Sequence, residues 1–423
     1  MTVNEQGRRL RRDVVWNLVP VALLGVVGLG LNFAIGRWWG AAALGVFNLV
    51  TTTFFVLAVV GASGLQYAVL RAVAEDPEDR DRVAAVVVGA LVPNVVLAAV
   101  ATLVFLAIRQ PVARLLGSTS VAEGMLWATP GLFCFAVNKV LLGVVNGLRR
   151  MRAFATYTSL RYLLLATGLV LARTFDLRAD HLAVLWTFTE GTLLLVLLGE
   201  LVVTVRLTRC RGWAAWAGRH VDYGMRGVLA TLGYEINSKL DVWMLGIALS
   251  ESQVGIYSLA AALNEGVMQL AVVLQNNLNP LVARACAGGR LDEVDVLARR
   301  TRRWFAPAMI GVCAVSAAMY PLVIPWLVGD PAFAAGAVPF AILMAGLALA
   351  SPWLPFLQVL LMAGYPGWHT VYVLCVVAIA FLGDVLLIPV LGLGGAAIAT
   401  AAAIASAALL VRLLARARVG VRI

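Results

Sequence analysis

The sequence predicts an all-α polytopic membrane protein with about 12 transmembrane helices in two six-helix lobes related by a pseudo-twofold axis. Three observations predict this fold class. The 423 residues are 62% hydrophobic and 13% charged, whereas soluble domains carry about 25% charged residues. The apolar residues fall into runs long enough to cross a bilayer. The second half of the chain repeats short segments of the first half.

Segments throughout the chain reach the roughly 20 apolar residues that a spanning helix needs. The first of these segments follows four arginines and in this respect resembles a signal peptide. Its apolar run from Val14 to Ile35 is longer than a signal-peptide core, so we expect the helix to be retained. The predicted spans are residues 14–36, 43–69, 84–108, 121–147, 155–173, 182–206, 223–249, 253–280, 305–329, 334–362, 369–388 and 393–414.

The basic residues predict the side on which each loop lies. If the N-terminus is cytoplasmic, the inner segments hold 24 of the 33 lysines and arginines and the outer segments hold 5. Positive residues favour the cytoplasmic side of a membrane. We therefore expect a multi-pass protein of the cell inner (cytoplasmic) membrane with both termini in the cytoplasm. The four remaining basic residues lie inside predicted spans: Lys139, Arg161, Arg226 and Lys239.

The predicted organisation is an N-terminal lobe at residues 1–206, a cytoplasmic interfacial linker at 207–222 and a C-terminal lobe at 223–423. The linker combines arginines with Trp213 and Trp216, a composition typical of the headgroup level. Residues 289–304 place acids in a first helical turn and arginines in a last turn, which suits a helix dipole. Simple topology signals explain both segments as well.

An internal repeat underlies the two-lobe prediction. The segment LGVFNL (44–49) matches VGIYSL (254–259) at an offset of 210, and LAVV occurs at 57–60 and again at 270–273. The matches keep their order and a nearly constant offset. Six spans return the chain to its starting side, so the two halves have the same orientation. In transporters built from such repeats, the binding site lies between the halves.

Four stretches carry a resemblance to a known family. They are LDVWMLGIALSESQVGIYSLAAAL (240–263), GRWWGAAALGVFNLVTTTF (36–54), NGLRRMRAFATYTSLR (146–161) and YPLVIPWLVGDPAFAAGAVPFAIL (320–343). On these stretches the chain resembles the polysaccharide flippases (Wzx-like) of the multidrug/oligosaccharidyl-lipid/polysaccharide exporter superfamily.

The resemblance implies two helical lobes that face a central cavity. It also implies that isoprenoid-linked saccharides cross the cytoplasmic membrane by alternating access. The resemblance further implies that cationic residues in the cavity bind the phosphates of the lipid, as in related lipid II flippases. The chain departs from that subgroup because it has twelve predicted spans rather than fourteen, and because its first span has no Arg-Asp pair.

The segment YEINSKLDVW (234–243) places three charged residues inside an apolar span. Glu235 and Lys239 are four residues apart on one helix face and can pair. Asn237 and Asp241 form a second polar face on nearly the opposite side. Neither face can be open to lipid, so we expect one to meet a neighbouring helix and the other a water-filled cavity, unless the helix breaks here. Alternatively, the Glu235–Lys239 pair only packs the lobe.

The cations inside the spans are the predicted substrate-binding groups, because an unpaired anionic phosphate at the midplane is costly. Lys139 and Arg161 are expected to receive the headgroup and Lys239 to accompany it across. Arg161 is equally well explained as a snorkelling interface residue. The predicted substrate-binding residues are Lys239, Lys139, Arg161, Arg226 and Asn237, and the predicted coupling or charge-pairing residues are Glu235, Asp241, Glu265 and Glu190.

The leading interpretation is a flippase for lipid-linked saccharide precursors. Its expected partners are an isoprenoid-linked saccharide, membrane lipids, and proteins of polysaccharide synthesis and polymerisation, with no nucleic acid. We expect no catalytic residues, metal or cofactor, since the lysines do not match a phosphate-binding loop and the cysteines lack metal-ligand spacing.

Two other functions stay open. A cation-coupled multidrug antiporter of the same superfamily typically places an acid in the first span, and none is present here. A polytopic glycosyltransferase or polysaccharide polymerase would need a substantial outer loop with paired acids. The only candidate for such a loop is the short segment RTFDLRADH (173–181).

Overall fold

The fold is helical throughout the part of the chain that the structure describes. The computed structural model describes residues 3–205 and 210–423, and no strand occurs within these ranges. The predicted all-α class is therefore confirmed. The helices are α1 (Val3–Ala62), α2 (Leu65–Glu75), α3 (Arg80–Leu115), α4 (Thr119–Gly147), α5 (Met151–Thr174), α6 (Val184–Thr204), α7 (Trp213–Ala248), α8 (Glu251–Ala287), α9 (Leu291–Val328), α10 (Ala337–Ala350), α11 (Val359–Met362), α12 (Pro366–Leu391) and α13 (Leu393–Leu414).

Ten helical segments of the described chain are long and apolar enough to cross a membrane, which makes the chain a multi-pass membrane protein. α1 contains the first predicted span and most of the second, whose last residues belong to α2. Its backbone departs from helical geometry at Gly40 (φ 87°, ψ 175°), a conformation that glycine adopts without a steric penalty. The tenth predicted span is shorter than expected, because α10 ends at Ala350 and α11 starts only at Val359. α7 is not among the ten, and its role as the seventh span stays a prediction.

The helices form two compact units. The first unit comprises Met1–Ala34 and Val46–Lys239, and the second comprises Ile35–Gly45 and Leu240–Ile423. The predicted lobe boundaries, at residues 206 and 223, do not coincide with this division. The physical reason is that α7 is one continuous helix, whose residues up to Lys239 pack in the first unit.

From Trp213 onward the predicted linker is not a separate element, because these residues form the first turns of α7. Its interfacial position stays a prediction. The first turns of α7 pack against α3. A Cβ at Gly89 of α3 would lie 2.6 Å from the Cβ of Trp216, so only glycine allows this close approach. The Nε2 atom of His220 lies 3.2 Å from the main-chain oxygen of Val86. The tryptophan-rich segment therefore belongs to the first unit's packing.

α4 packs against α2, α3, α5 and α6 in the first unit. Glycines on its surface explain how it meets so many neighbours. A Cβ at Gly131 would lie 2.7 Å from the main-chain nitrogen of Thr187 in α6, and a Cβ at Gly143 would lie 2.6 Å from the main-chain oxygen of Gln66 in α2. Small residues allow membrane helices to approach closely. This packing buries the polar residues of α4 that are described below.

Small residues also hold the second unit together, where α13 packs against α10 and α12. A Cβ at Gly346 of α10 would lie 2.5 Å from the Cβ of Ala401, and a Cβ at Gly383 of α12 would lie 2.8 Å from that of Ala399. The alanines of α13 thus replace the larger side chains that separate helices in soluble bundles. This close packing brings α12 and α13 to the polar cluster of the second unit.

The internal repeat is visible at a helix crossing in the second unit. Gly45 of α1 and Gly255 of α8 are 210 residues apart, as in the matched segments. A Cβ at Gly45 would overlap the main-chain oxygen of Glu251, and a Cβ at Gly255 would overlap that of Ala41. Ala41 and Glu251 are also 210 residues apart, so the contact is reciprocal. A local twofold axis produces this pattern.

Replacing Gly255 with Leu is expected to force α1 and α8 apart and to destabilise the protein. Overpacking a close contact costs about 1–3 kcal/mol, and more where backbone atoms must move. Thermal unfolding in detergent measures the change. Gly311→Leu on α9 is the matched control, because nothing lies within 4 Å of a Cβ at that position. Equal melting temperatures for the two variants would show that the crossing does not need glycine.

Candidate functional site

The first unit buries an ion pair between α5 and α6. The Nε atom of Arg161 lies 2.7 Å from Oε1 of Glu190, and its Nη2 donates to Oε2 at 3.2 Å. The Glu190 side chain is 0% exposed and that of Arg161 is 12% exposed. The guanidinium is therefore held by a buried carboxylate, and the snorkelling role of Arg161 stays an untested alternative.

Asn138 on α4 completes the surroundings of Glu190. Its side-chain nitrogen donates both to the main-chain oxygen of Glu190 and to the carboxylate Oε2, at 2.9 Å each. Asn138 is fully buried. The two bonds fix the carboxylate relative to the helix backbone, and the carboxylate in turn orients the guanidinium of Arg161. Asn138 was not among the predicted site residues, although an amide inside an apolar span is itself a signal.

A phenyl ring lies beside both cations of this cluster. Phe135 is four residues before Lys139 on α4, so both side chains lie on one helix face. The Nζ of Lys139 lies 5.2 Å from the ring centroid and the Cζ of Arg161 lies 4.9 Å from it. Both distances allow cation–π attraction. Phe54 and Phe55 of α1 pack edge-on against Phe135 and hold the ring in place.

Lys139 is the more weakly held of the two cations. It is attracted through space by Glu235 and Glu190 and repelled by Arg161. Within the described residues, its contacts are these interactions and the Phe135 ring, whereas Arg161 has a direct ion pair. An ammonium held in this way can exchange its partners for an incoming anion at low cost. Thus Lys139, Arg161, Glu190 and Glu235, all predicted site residues, belong to one cluster.

The second unit contains a separate acidic cluster. The Tyr257 hydroxyl on α8 lies 3.2 Å from Oδ2 of Asp241 on α7 and 3.2 Å from the hydroxyl of Thr400 on α13. Asp384 on α12 is close enough to interact electrostatically with both Asp241 and Tyr257. Tyr257 is 0% exposed and Asp384 is 2% exposed. Four helices therefore bring two carboxylates and two hydroxyls together.

The chemistry of the acidic cluster suits a proton or a small hard cation. Two neighbouring carboxylates in apolar surroundings cannot both be ionised without a counter-charge. Oδ1 of Asp384 is buried and has no hydrogen-bond partner among the described residues. Sequence reasoning predicted Asp241 but missed Asp384, whose position inside the predicted span 369–388 is a sufficient signal.

The remaining predicted residues lie elsewhere. Lys239 is partly buried on α7, which continues unbroken through residues 234–243, so the alternative of a broken helix is wrong. Glu265 is exposed on α8. The side chains of Arg226 and Asn237 lie outside the described residues. The roles of these four residues stay predictions.

The two acids of the short loop between α5 and α6 pair with nearby arginines. Asp176 pairs with Arg173 at 3.2 Å, and Asp180 pairs with Arg178 at 2.6 Å. Both ion pairs lie at the surface, and each acid has its own arginine partner within three residues. This arrangement does not favour a glycosyltransferase or polymerase site at the only predicted candidate loop.

Comparisons with known proteins come from sequence and from structure. A family profile described as polysaccharide biosynthesis protein matches residues 10–286. No curated protein sequence matches the chain. The inward-facing structure of a multidrug resistance MATE family transporter of the MOP superfamily superposes with a TM-score of 0.76 and 16% identity, covering 96% of this chain and 98% of that chain.

Two further solved structures are similar. The lipid II flippase MurJ in an inward closed conformation has a TM-score of 0.74 and 11% identity, covering 95% of this chain and 87% of its own. A mutant of the Vibrio cholerae MATE transporter VcmN has a TM-score of 0.61 and 14% identity, with 98% of both chains covered. At these identities, the likenesses show a shared two-lobed helical fold.

Proposed function

We propose, on the premise that the chain belongs to the polysaccharide biosynthesis protein family, that it is a flippase for lipid-linked saccharide precursors. It moves the saccharide and its phosphate linkage across the cytoplasmic membrane by alternating access, with both termini in the cytoplasm. The observation that carries this proposal is the buried cationic cluster of the first unit, where Lys139 and Arg161 flank the ring of Phe135.

The cluster has the chemistry that a phosphate or pyrophosphate requires. An anion entering an apolar helical bundle needs a cation that is already desolvated and held in place. The charge of Arg161 is largely neutralised by Glu190. Arg161 therefore mainly orients the phosphate and adds a weak positive potential. Lys139 is free to move from through-space attraction to a direct phosphate contact. We therefore assign first contact with the substrate phosphate to Lys139 and a supporting role to Arg161.

Lys239 is the proposed second binding position of the phosphate. It lies on α7 one helical turn after Glu235, and Glu235 attracts Lys139. α7 therefore carries both Glu235, which attracts the first phosphate-binding residue Lys139, and Lys239 itself. In this proposal, the phosphate moves from Lys139 to Lys239 while the two units change their arrangement.

Replacing Lys239 with Gln is expected to abolish flipping while the protein stays folded and inserted, because the phosphate loses its second cation. Lys239→Arg keeps the charge and should retain part of the activity. The rate of flipping of a fluorescent isoprenoid pyrophosphate saccharide in proteoliposomes measures both variants. A normal rate for Lys239→Gln would limit this residue to packing.

A multidrug antiporter is the second candidate, favoured by the similarity to a MATE family transporter. The lipid II flippase among the similar structures acts on lipid II and favours the first proposal. Substrate competition decides between them. An unlabelled isoprenoid pyrophosphate saccharide should inhibit flipping of the labelled one, whereas a cationic dye should neither inhibit it nor accumulate. Dye transport without lipid transport would reverse the assignment.

We propose that the acidic cluster of the second unit couples transport to an ion gradient. One of Asp241 and Asp384 holds a proton, or both share a small cation, while Tyr257 and Thr400 supply hydroxyl oxygens. Ionisable residues inside membrane bundles commonly serve as proton relays. Of the predicted coupling residues, Asp241 therefore receives the leading role.

Asp384→Asn is expected to uncouple flipping from an imposed pH or sodium gradient, because a neutral amide can neither release a proton nor neutralise a cation. Flipping should persist without a gradient, at a slow rate. The ratio of rates with and without each gradient, measured in proteoliposomes, is the readout. Asp330→Asn, at the start of a short helix and outside the acidic cluster, is the control. If Asp384→Asn keeps the normal gradient response, this cluster is not the coupling site.

A further inference from the structure

One end of the second unit carries a strong excess of arginine. Four arginines occur from Arg299 to Arg303, eight to twelve residues after the start of α9, and four more from Arg412 to Arg422 at and after the end of α13. We call these residues the arginine surface. Two of the three acids in the first turns of α9 are engaged. Glu293 pairs with Arg290 at 2.9 Å, and Asp295 accepts the main-chain N–H of Arg422 at 2.6 Å.

The tertiary structure crowds these like charges together. Arg302 of α9 is repelled by both Arg299 and Arg412, and Asp295 provides its attraction. Arg302 donates one N–H to the main-chain oxygen of Ile423 at 3.3 Å. A guanidinium has five N–H groups, so most of these donors have no hydrogen-bond partner among the described residues. The crowding of like charges costs free energy, which an anion bound at this surface would recover.

Tryptophans orient two guanidinium groups of the arginine surface. The Cζ of Arg412 lies 5.3 Å from the ring centroid of Trp353, and the Cζ of Arg418 lies 3.8 Å from that of Trp368. A guanidinium stacked on an aromatic face keeps its N–H edges available for phosphate oxygens. Both arginines are exposed. The donors are thus preorganised and accessible at the same time.

The position of the arginine surface suits a lipid headgroup. It lies where α9 and α12 start and where α13 ends, which are ends of candidate membrane spans. Large apolar side chains beside the arginines are also exposed. Trp304 follows Arg303 and is 55% exposed, and Leu413 follows Arg412 and is 53% exposed. A phosphate would meet the guanidinium groups while acyl chains cover these apolar side chains.

We propose that the arginine surface binds the headgroup of an anionic phospholipid of the surrounding membrane. The stacked arginines Arg412 and Arg418 contact the phosphate, and the apolar side chains contact the acyl chains. Basic residues at the ends of membrane helices attract anionic headgroups. The excess of charge, the two stacks and the adjoining apolar area together favour a lipid over a soluble anion. This inference does not depend on the proposed transport function.

The first test compares lipids on the unmodified protein. The full chain in detergent is mixed with short-chain phosphatidylglycerol or phosphatidylcholine of the same acyl length, and bound lipid is counted by native mass spectrometry. We expect phosphatidylglycerol to be retained and to raise the melting temperature, and phosphatidylcholine to do neither. Equal retention of both lipids would overturn the proposal. Inorganic phosphate that displaces phosphatidylglycerol at millimolar concentration would show a simple phosphate site and would also overturn it.

The second test compares two double variants that each remove two positive charges. Arg412→Gln with Arg418→Gln should weaken retention of phosphatidylglycerol on the order of 20-fold, given the attraction of each arginine near an anionic surface. Arg37→Gln with Arg284→Gln removes two arginines of the second unit that do not belong to the arginine surface. It should retain the lipid normally. Equal losses in both pairs would show unspecific charge attraction and would reject the assignment. Arg412→Lys with Arg418→Lys, which keeps the charge, should bind at an intermediate level.

Discussion

Lys139→Gln is expected to lower the rate of lipid-linked saccharide flipping by about 100-fold, which corresponds to about 3 kcal/mol for one charge inside a membrane bundle. Of the two cations beside Phe135, Lys139 is the one without a direct ion pair among the described residues, so it is the one more readily transferred to a phosphate. Removing it leaves the entering anion opposite Glu235 and Glu190 without a mobile counter-charge.

The rate is measured in proteoliposomes that contain equal amounts of protein, with melting temperature as a second readout. The substitution should change stability little, because Gln keeps most of the side-chain volume beside Phe135. Lys139→Arg should keep part of the activity. Arg71→Gln is the matched control in the first unit, since Arg71 forms a surface ion pair with Glu75 that contributes little. A normal flipping rate for Lys139→Gln would reject the phosphate assignment of this cluster.

Glu190→Gln is expected to destabilise the first unit by about 3–5 kcal/mol, because it leaves the Arg161 guanidinium buried without its counter-charge. The two groups are 2.7 Å apart, and the carboxylate is fully buried. The loss is large compared with the roughly 5–15 kcal/mol that holds a typical domain folded. We therefore expect poor expression or a markedly lower melting temperature.

A double-mutant cycle separates the ion pair from general packing. Glu190→Gln combined with Arg161→Gln removes both charges, so the double variant should be more stable than Glu190→Gln alone. Unfolding in detergent with increasing denaturant gives the free energies. Additive losses would show that the two residues do not interact in the folded protein. The contrast with Lys139 is diagnostic, since one substitution should impair transport and the other the fold.

The helical fold and most of its helices could be predicted from the sequence, because hydrocarbon length and apolar composition leave few alternatives. The repeat offset of 210 also predicted equivalent positions, and Gly45 and Gly255 meet with their equivalent neighbours. The interfacial position of the linker stays a prediction. Trp216 packs closely at Gly89 of α3, whereas the side chain of Trp213 is exposed.

The residues of the site could be predicted from the sequence, but the contacts between them could not. A charge inside an apolar span is visible in the sequence, which is why Lys139, Arg161 and Glu190 were predicted. Their partners were not visible. Arg161 was equally compatible with a snorkelling role, and only the approach of α6 shows that it pairs with Glu190.

By itself, the sequence determined that this is a multi-pass helical membrane protein with an internal repeat and ionisable residues in its spans. Hydropathy and helix periodicity act locally, so they are readable along the chain. Only the tertiary structure decided which charges meet. Arg161 and Glu190 are 29 residues apart, and Tyr257 and Thr400 are 143 residues apart. A polar group on an apolar helix must have a partner, and this need is visible in the sequence. Close packing at small residues determines which neighbouring helix supplies that partner.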